Sequence, residues 1–284
     1  MQHIPRLAII NSFAGFGRIS ITAALPIVSV MQVQACPLPT SVLSSHLAYS
    51  PCHRVDLSDH MEEYLNAWNG IDLRFDGLYL GYVSNPAQLD ILQNLLTSHF
   101  EKNTENPLEI LKPDAKIIID PVMGDHGKAY STVTSKQIEK MRHLIRYTHI
   151  LTPNLTEACM LTGVSYDSDT LSEAKLLDIC HKLDPMDQKQ MVITGIRDGD
   201  DFVNYIWDKG CANHLHIKSA GASRPGTGDI FASILSANTL KGKDFKSSVI
   251  QACDFISACI HDSEYANTPI KEGVLFEQNL SRLL

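Results

Sequence analysis

The stretch Arg224-Pro225-Gly226-Thr227-Gly228-Asp229-Ile230-Phe231 puts two glycines and a carboxylate at the point where an apolar, helix-like pattern begins. Glycine lets the backbone approach a ligand closely, and the free N–H groups at a helix start favour an anion. Gly221 and Gly226 have the spacing of the first two P-loop glycines, but Thr227 stands where that motif requires lysine, so this is a different turn. The plain reading of Asp229 is a first-turn carboxylate that complements the helix dipole, a contribution of about 0.3–1 kcal/mol. Ser or Thr would cap a helix about as well. The charge becomes useful if Asp229 faces an acceptor hydroxyl and takes its proton while the Gly226–Gly228 amides hold the transferred phosphoryl group.

Phosphoryl transfer also needs cations near the β and γ phosphates, usually magnesium held through one or two carboxylates and waters. "KIIIDPVMGD" supplies Asp120 at a strand end and Asp125 in the next loop, and "TPNLTEA" supplies Asn154 and Glu157. Each has a plain reading too. Asp120-Pro121 is an ordinary strand exit, and Asn154 to Glu157 has the form of a capping box. The functional reading gains weight because these groups are expected at the same sheet edge as the glycine turn.

The elements that must place them follow from the pattern. Short β-rich runs alternate with helical ones: "RLAII" then 19–30, "GLYLGYV" then 86–102, "AKIIID" then 135–146, "HILTPN" then 155–163, a helix over 172–183, and "QMVITGI". Such alternation predicts βαβ units and a mostly parallel sheet between helical layers. "KIII" is apolar at every position, as expected where both sheet faces are covered. "DFVNYIW" and "HLHIKSA", joined through Asp208-Lys209-Gly210, predict an antiparallel hairpin. Two helices follow, from about Gly228 to Gly242 and from Phe245 to His261. Pro26 should kink the helix it lies in. The expected fold is therefore α/β, three layers, within a single domain over 1–284. In such sheets ligands gather at the carboxyl ends of the strands, where Asn11, Ser12, Tyr82, Asp120, Thr152, Asn154 and Thr194 fall.

Bulk properties narrow the partners. A formal net charge of −8 argues against a surface built for nucleic acid or anionic lipid. No apolar run is long enough to span a bilayer, and residues 1–5 run into a strand without the pattern of a secretory signal. Seven cysteines without a zinc-type spacing fit reduced thiols, hence a cytoplasmic protein. No G-x-S-x-G turn supports a serine hydrolase.

"DPVMGD" at 120–125, "TPNLTEA" at 152–158, "VIT" at 192–194 and "GTGDIF" at 226–231 resemble the ribokinase-like superfamily in order and spacing. "NSFAGFG" at 11–17, "PLPTSVLSSHLAY" at 37–49 and "LGYV" at 80–83 are similar to the pyridoxal/pyridoxamine kinases, over essentially the whole chain. The resemblance implies ATP-dependent phosphorylation of the 5′-hydroxymethyl group of a B6 vitamer. It implies Asp229 as catalytic base and Gly226, Thr227 and Gly228 as anion hole. Asp120, Asp125, Asn154 and Glu157 would surround Mg-ATP, with Asp120 and Glu157 nearest the metal and Thr152, Thr194, Thr227 and Tyr130 contacting phosphate. Ser12, His46 and Tyr82 would line the pyridine pocket, although His46 alone reads equally as a buried, satisfied histidine. A homodimer and a monovalent cation such as K⁺ beside the Mg²⁺ are further implications. The segments 125–131 and 198–218 are candidates to close over the site.

Three positions depart from the family pattern: Leu47 replaces a common Thr, Gly195 a common Ser, and Ser20-Ile21 the usual Gly-Asn. The phosphate machinery is shared across the superfamily, so hydroxymethylpyrimidine is the rival substrate. A non-catalytic ligand-binding protein on the same fold is the rival class.

Overall fold

The computed structural model describes residues 3–101, 108–167 and 171–284. Eleven strands are present among them: β1 (Arg6–Ala14), β2 (Gln34–Leu43), β3 (Arg54–Asp56), β4 (Phe75–Leu80), β5 (Leu111–Ile119), β6 (Gly124–Asp125), β7 (Lys128–Ala129), β8 (Ile150–Leu151), β9 (Gln190–Asp198), β10 (Asp201–Asp208) and β11 (Cys211–Ile217). The helices are α1 (Ser20–Val30), α2 (Ser58–Gly70), α3 (Pro86–Glu101), α4 (Ser135–Leu144), α5 (Leu155–Thr162), α6 (Glu173–Leu183), α7 (Thr227–Leu240) and α8 (Phe245–Tyr265).

Nine strands form one sheet in the order β11-β10-β9-β8-β5-β4-β1-β2-β3. The six strands from β9 to β2 pair in parallel, and antiparallel strands close both edges. The expected hairpin is β10–β11. The opposite edge, where β3 pairs Ser41 with Asp56, is a feature the sequence pattern did not disclose.

Alternation within the central strands divides the core. Leu7, Ile9, Tyr79, Ile118 and Val192 face α1, α7 and α8, while Ala8, Ile10, Leu78, Leu80, Ile117, Ile119 and Ile193 face α2 to α6. A strand covered on both faces must be apolar at every position. The chain passes from β1 outward to β2 and returns on the other side of β1 to β4, so strand order reverses there. That reversal opens a crevice at the carboxyl ends of β1, β4 and β5.

Helix ends agree closely with the expected ones. Asn154 and Glu157 close a reciprocal capping box on α5, which ends at Gly163 in the left-handed conformation. Asp244 caps α8, which runs one turn beyond its expected end. Helix α1 continues through Pro26. The expected end of the third helix at Lys102 lies outside the described residues. All seven cysteines are unpaired, and among the described residues no helix is long and apolar enough to cross a membrane.

Candidate active site

The crevice collects the amino end of α7, the amino end of α1 and the carboxyl ends of β1, β4, β5 and β8. Gly226 caps α7 with φ +86°, a conformation only glycine adopts readily, and a Cβ there would overlap the Arg18 carbonyl. Gly226 has no side chain with which to cap α7, so the first N–H groups, which have no intrahelical partner, are not capped by it. The Thr227 hydroxyl is already engaged, donating to the Arg224 carbonyl at 3.2 Å.

Asp229, in the first turn of α7, is held from three directions. The Asn11 amide donates to Oδ1 at 2.8 Å, the Ser20 backbone N–H to Oδ2 at 2.7 Å, and the Tyr79 hydroxyl to Oδ1 at 3.4 Å. Asp229 thus caps a helix, but the helix is α1 rather than its own. Asn11 and Tyr79 are fully buried, and Asn11 Oδ1 in turn accepts the N–H groups of Ser12 and Tyr82 at 2.8 and 3.0 Å. Its amide therefore cannot flip without losing those bonds. Burial raises the Asp229 pKa, and the Ser20, Asn11 and Tyr79 donors oppose the rise. The net effect is a carboxylate more basic than usual yet fixed in direction.

Across from it stands Asp120, whose Oδ2 would lie 3.5 Å from a Cβ placed on Gly228. Asp120 is buried, and burial together with the Asp229 charge pushes its pKa up to about 8. The Thr152 hydroxyl offsets part of this shift, but its buried oxygen makes no complete hydrogen bond. Glu157 is also buried and held well above the carboxylate range, first by burial and then by Asp120. Its oxygens accept the Met123 and Asn154 N–H groups at 3.1 and 2.8 Å, so it ties the 120–125 loop to α5. Asn154 Nδ2 donates to the Gly124 carbonyl at 2.8 Å.

Asp125 is half exposed and bonds its own turn through the His126 N–H at 2.8 Å. Tyr130 follows β7. Partial desolvation raises its pKa although the residue is 42% exposed, and Glu157, Asp125, Asp120 and Asp229 add to the rise, which places it in the field of all four carboxylates. Thr194 joins the base of the site by a bridge to Asn154. A cavity of about 190 Å³ lies beside these groups, lined by Asp125, Asn154, Thr156, Tyr166, Gly195 and Arg197 among others. A larger hollow of about 400 Å³ lies between α8 and Arg282. It contains neither the glycine turn nor the strand-end acids.

The ring-side residues meet at the other end. Ser12 Oγ donates to Ser20 Oγ at 2.9 Å, and the Tyr82 hydroxyl to Thr132 Oγ1 at 3.4 Å. His46 is buried, with Nε2 donating to the Lys271 carbonyl at 2.5 Å and Nδ1 accepting from Ala48 N at 3.3 Å. Both ring nitrogens are therefore spent inside the protein. Leu47 beside it is 48% exposed. Ser20 sits at φ +50°, a left-handed conformation that explains the preference for glycine there and that Ser adopts at some strain.

Among the described residues no three His, Cys, Asp or Glu side chains converge as a protein-only metal site. The donor set instead suits a divalent cation shared with substrate: two buried carboxylates that repel each other and an orphaned hydroxyl, with the remaining ligands from phosphate and water. A cation beside Asp120 would reverse the shift that burial imposes.

Comparison with known proteins gives a consistent result. The sequence profile of the family described as phosphomethylpyrimidine kinase matches residues 104–273, more than half of the chain. A Bordetella bronchiseptica pyridoxine/pyridoxal/pyridoxamine kinase is 29% identical over 163 residues, 55% of this chain and 53% of the relative, so the match spans about half the length of that curated relative. A Bacteroides thetaiotaomicron structure described as a candidate phosphomethylpyrimidine kinase is 30% identical with a TM-score of 0.89, covering 99% of this chain and 94% of its own. A second crystal form of that protein contains pyridoxal. Lactobacillus plantarum pyridoxal kinase is 26% identical with a TM-score of 0.87, covering 99% of this chain and 97% of its own. The resemblance to ribokinase-like kinases read from the motifs is borne out in fold and family.

Proposed function

The chain belongs to the phosphomethylpyrimidine kinase family, and from that premise we propose that it transfers the ATP γ-phosphoryl group to the hydroxymethyl group of a pyridoxal-type ring. One observation carries the reading: a carboxylate oriented by two helix starts and a buried amide, standing beside an uncapped glycine turn.

In this reading Asp229 takes the proton of the attacking hydroxyl. Oδ1 already accepts from Asn11 and Tyr79, whereas Oδ2 accepts only the Ser20 N–H and keeps a lone pair for the alcohol. The raised pKa brings the base nearer to neutrality, where general-base catalysis is most effective. The Gly226–Gly228 amides would hold the phosphoryl oxygens, and the α7 dipole would favour their charge. Magnesium, held by Asp120 with Glu157 behind it, would neutralise charge on the β and γ phosphates; Thr152 could serve it or a monovalent ion. Tyr130, Thr194, Asn154 and Asp125 border the space assigned to nucleotide. On the ring side Ser12 and Tyr82 donate their hydroxyl protons to Ser20 and Thr132 and keep oxygen lone pairs as acceptors, while His46 serves as a wall because both its nitrogens are engaged.

The B6 ring is preferred because the motifs at 11–17, 37–49 and 80–83 resemble those of B6 kinases and because the Bacteroides relative was crystallised with pyridoxal. Relatives named hydroxymethylpyrimidine/phosphomethylpyrimidine kinase, with the family's own description, support hydroxymethylpyrimidine as a second reading. Incubating the protein with Mg-ATP and, separately, pyridoxal, pyridoxamine, pyridoxine and hydroxymethylpyrimidine decides between them through ADP release and the mass of the product. The highest kcat/KM is expected on a B6 vitamer. Selective turnover of the pyrimidine would replace that choice, and no alcohol-dependent ADP release would end both readings.

A further inference from the structure

Arg224 opens the glycine turn, yet its guanidinium points away from the crevice. The side chain is 2% exposed. The two N–H groups of Nη1 are shared among the carbonyls of Thr268 at 3.1 Å, Pro269 at 3.4 Å and Gly273 at 3.3 Å and Thr268 Oγ1 at 3.2 Å. Nη2 donates to Glu264 Oε1 at 3.0 Å and again to the Thr268 carbonyl at 3.1 Å, while Nε is buried without a partner among the described residues. Burying such a charge is unfavourable, and apolar packing usually serves stability as well or better. What this arginine gains is a fixed position for the segment 268–273.

That segment touches both halves of the site. Gly273, at φ +84°, packs where a Cβ would meet the Pro225 carbonyl at 3.1 Å and the Arg18 carbonyl at 3.2 Å. The Arg18 N–H donates to the Glu272 carbonyl at 3.1 Å, and the Arg18 carbonyl is the atom against which Gly226 rests. His46 donates to the Lys271 carbonyl on the ring side. The main chain of Arg224 completes the link, since its carbonyl accepts the Thr227 hydroxyl.

We infer that Arg224 is a positioning residue for phosphoryl transfer: its guanidinium gathers the carbonyls of 268–273 beneath the turn and so sets where the Gly226–Gly228 amides point. It touches no reacting atom. The inference rests on the phosphoryl-transfer reading, in which a misplacement of about 1 Å costs on the order of 10²-fold in rate.

The test compares wild type, Arg224→Ala and Arg224→Lys in the ADP-release assay with the best alcohol, each checked for folding by thermal melt. Wild-type turnover must come first, because its absence refutes the kinase reading rather than this one. In Arg224→Ala the expected result is a fall in kcat of about 10²-fold with KM for both substrates little changed, partly restored by millimolar guanidinium chloride. Recovery on adding a small cation separates positioning from misfolding, which guanidinium would worsen. If Arg224→Ala does not fold, Arg224→Lys decides. Its single nitrogen cannot reach Glu264 and all the carbonyls together, so kcat should fall with KM held. A folded variant of either kind with wild-type kcat, or one whose loss lies wholly in KM, overturns the inference.

Discussion

The two carboxylates that face each other across Gly228, Asp120 buried and Asp229 partly buried, are held differently. Asp229 receives three hydrogen bonds from the protein, whereas Asp120 has only an incompletely placed hydroxyl to set against burial and the charge of its neighbour. One side is therefore organised by the chain itself. The other gathers acids to which the protein supplies no countercharge, so their pKa values rise, as suits a position completed by the cation that accompanies a nucleotide. A base must point correctly before the alcohol arrives, but a carboxylate shared with magnesium and phosphate gains its direction from them.

The largest effect expected from breaking this contrast is at Asp120. Its folded-state pKa of about 8 lies above the ordinary 3.8, so the folded chain binds an extra proton between those values and loses stability as pH rises through that window. Asp120→Asn removes the loss. Its melting temperature without nucleotide should exceed that of wild type above about pH 8 and converge with it toward pH 4, each kcal/mol recovered being worth roughly 2–4 °C. Its turnover should fall by about 10²-fold or more. A variant that is more active, or less stable at high pH, would remove Asp120 from the charged side of the comparison.

Asn11→Ala tests the organised side. Deleting a hydrogen bond to a charged group removes about 1.5–3 kcal/mol, so the Asp229 pKa should climb further and the acid limb of kcat/KM against pH should move up by roughly 1–2 units. An acid limb that stays in place would show that Asn11 does not set the basicity of Asp229. The smallest change is expected from Glu157→Gln. Glutamine can still complete the capping box, but it can satisfy only one of the two N–H groups, at Met123 and Asn154, that the carboxylate now accepts. A loss of about 1 kcal/mol should appear in the thermal melt. The coupling runs from Asp120 to Glu157, so Asp120→Asn should lower the Glu157 pKa, observable by NMR titration; an unchanged titration would uncouple the two acids.

How much of this was legible in the sequence depended on the range of each interaction. The α/β alternation, the β10–β11 hairpin and the Asn154–Glu157 box are written in residues a few positions apart, where periodicity and capping rules apply. The glycine turn and its aspartate were equally readable. Asn11 could be recognised as a polar residue after a strand, but its bond to Asp229 spans 218 residues of sequence, and no local pattern encodes that. Tyr79 offered a fainter signal: a tyrosine in an otherwise apolar central strand requires a partner for its hydroxyl. Helix α2 went unread because only Met61 and Leu65 of its 13 residues are buried, too sparse a stripe to show a period. Arg224 was visible as a residue but not as a clamp, since its partners lie at the end of α8 and in the segment after it, some 40 positions later.

The most direct measurement is alcohol-dependent ADP release by wild type and Asp229→Asn, alongside nucleotide binding to both. The account predicts that the variant binds nucleotide as wild type does and loses about 10²- to 10⁴-fold in kcat. Turnover near the wild-type rate in Asp229→Asn would contradict it.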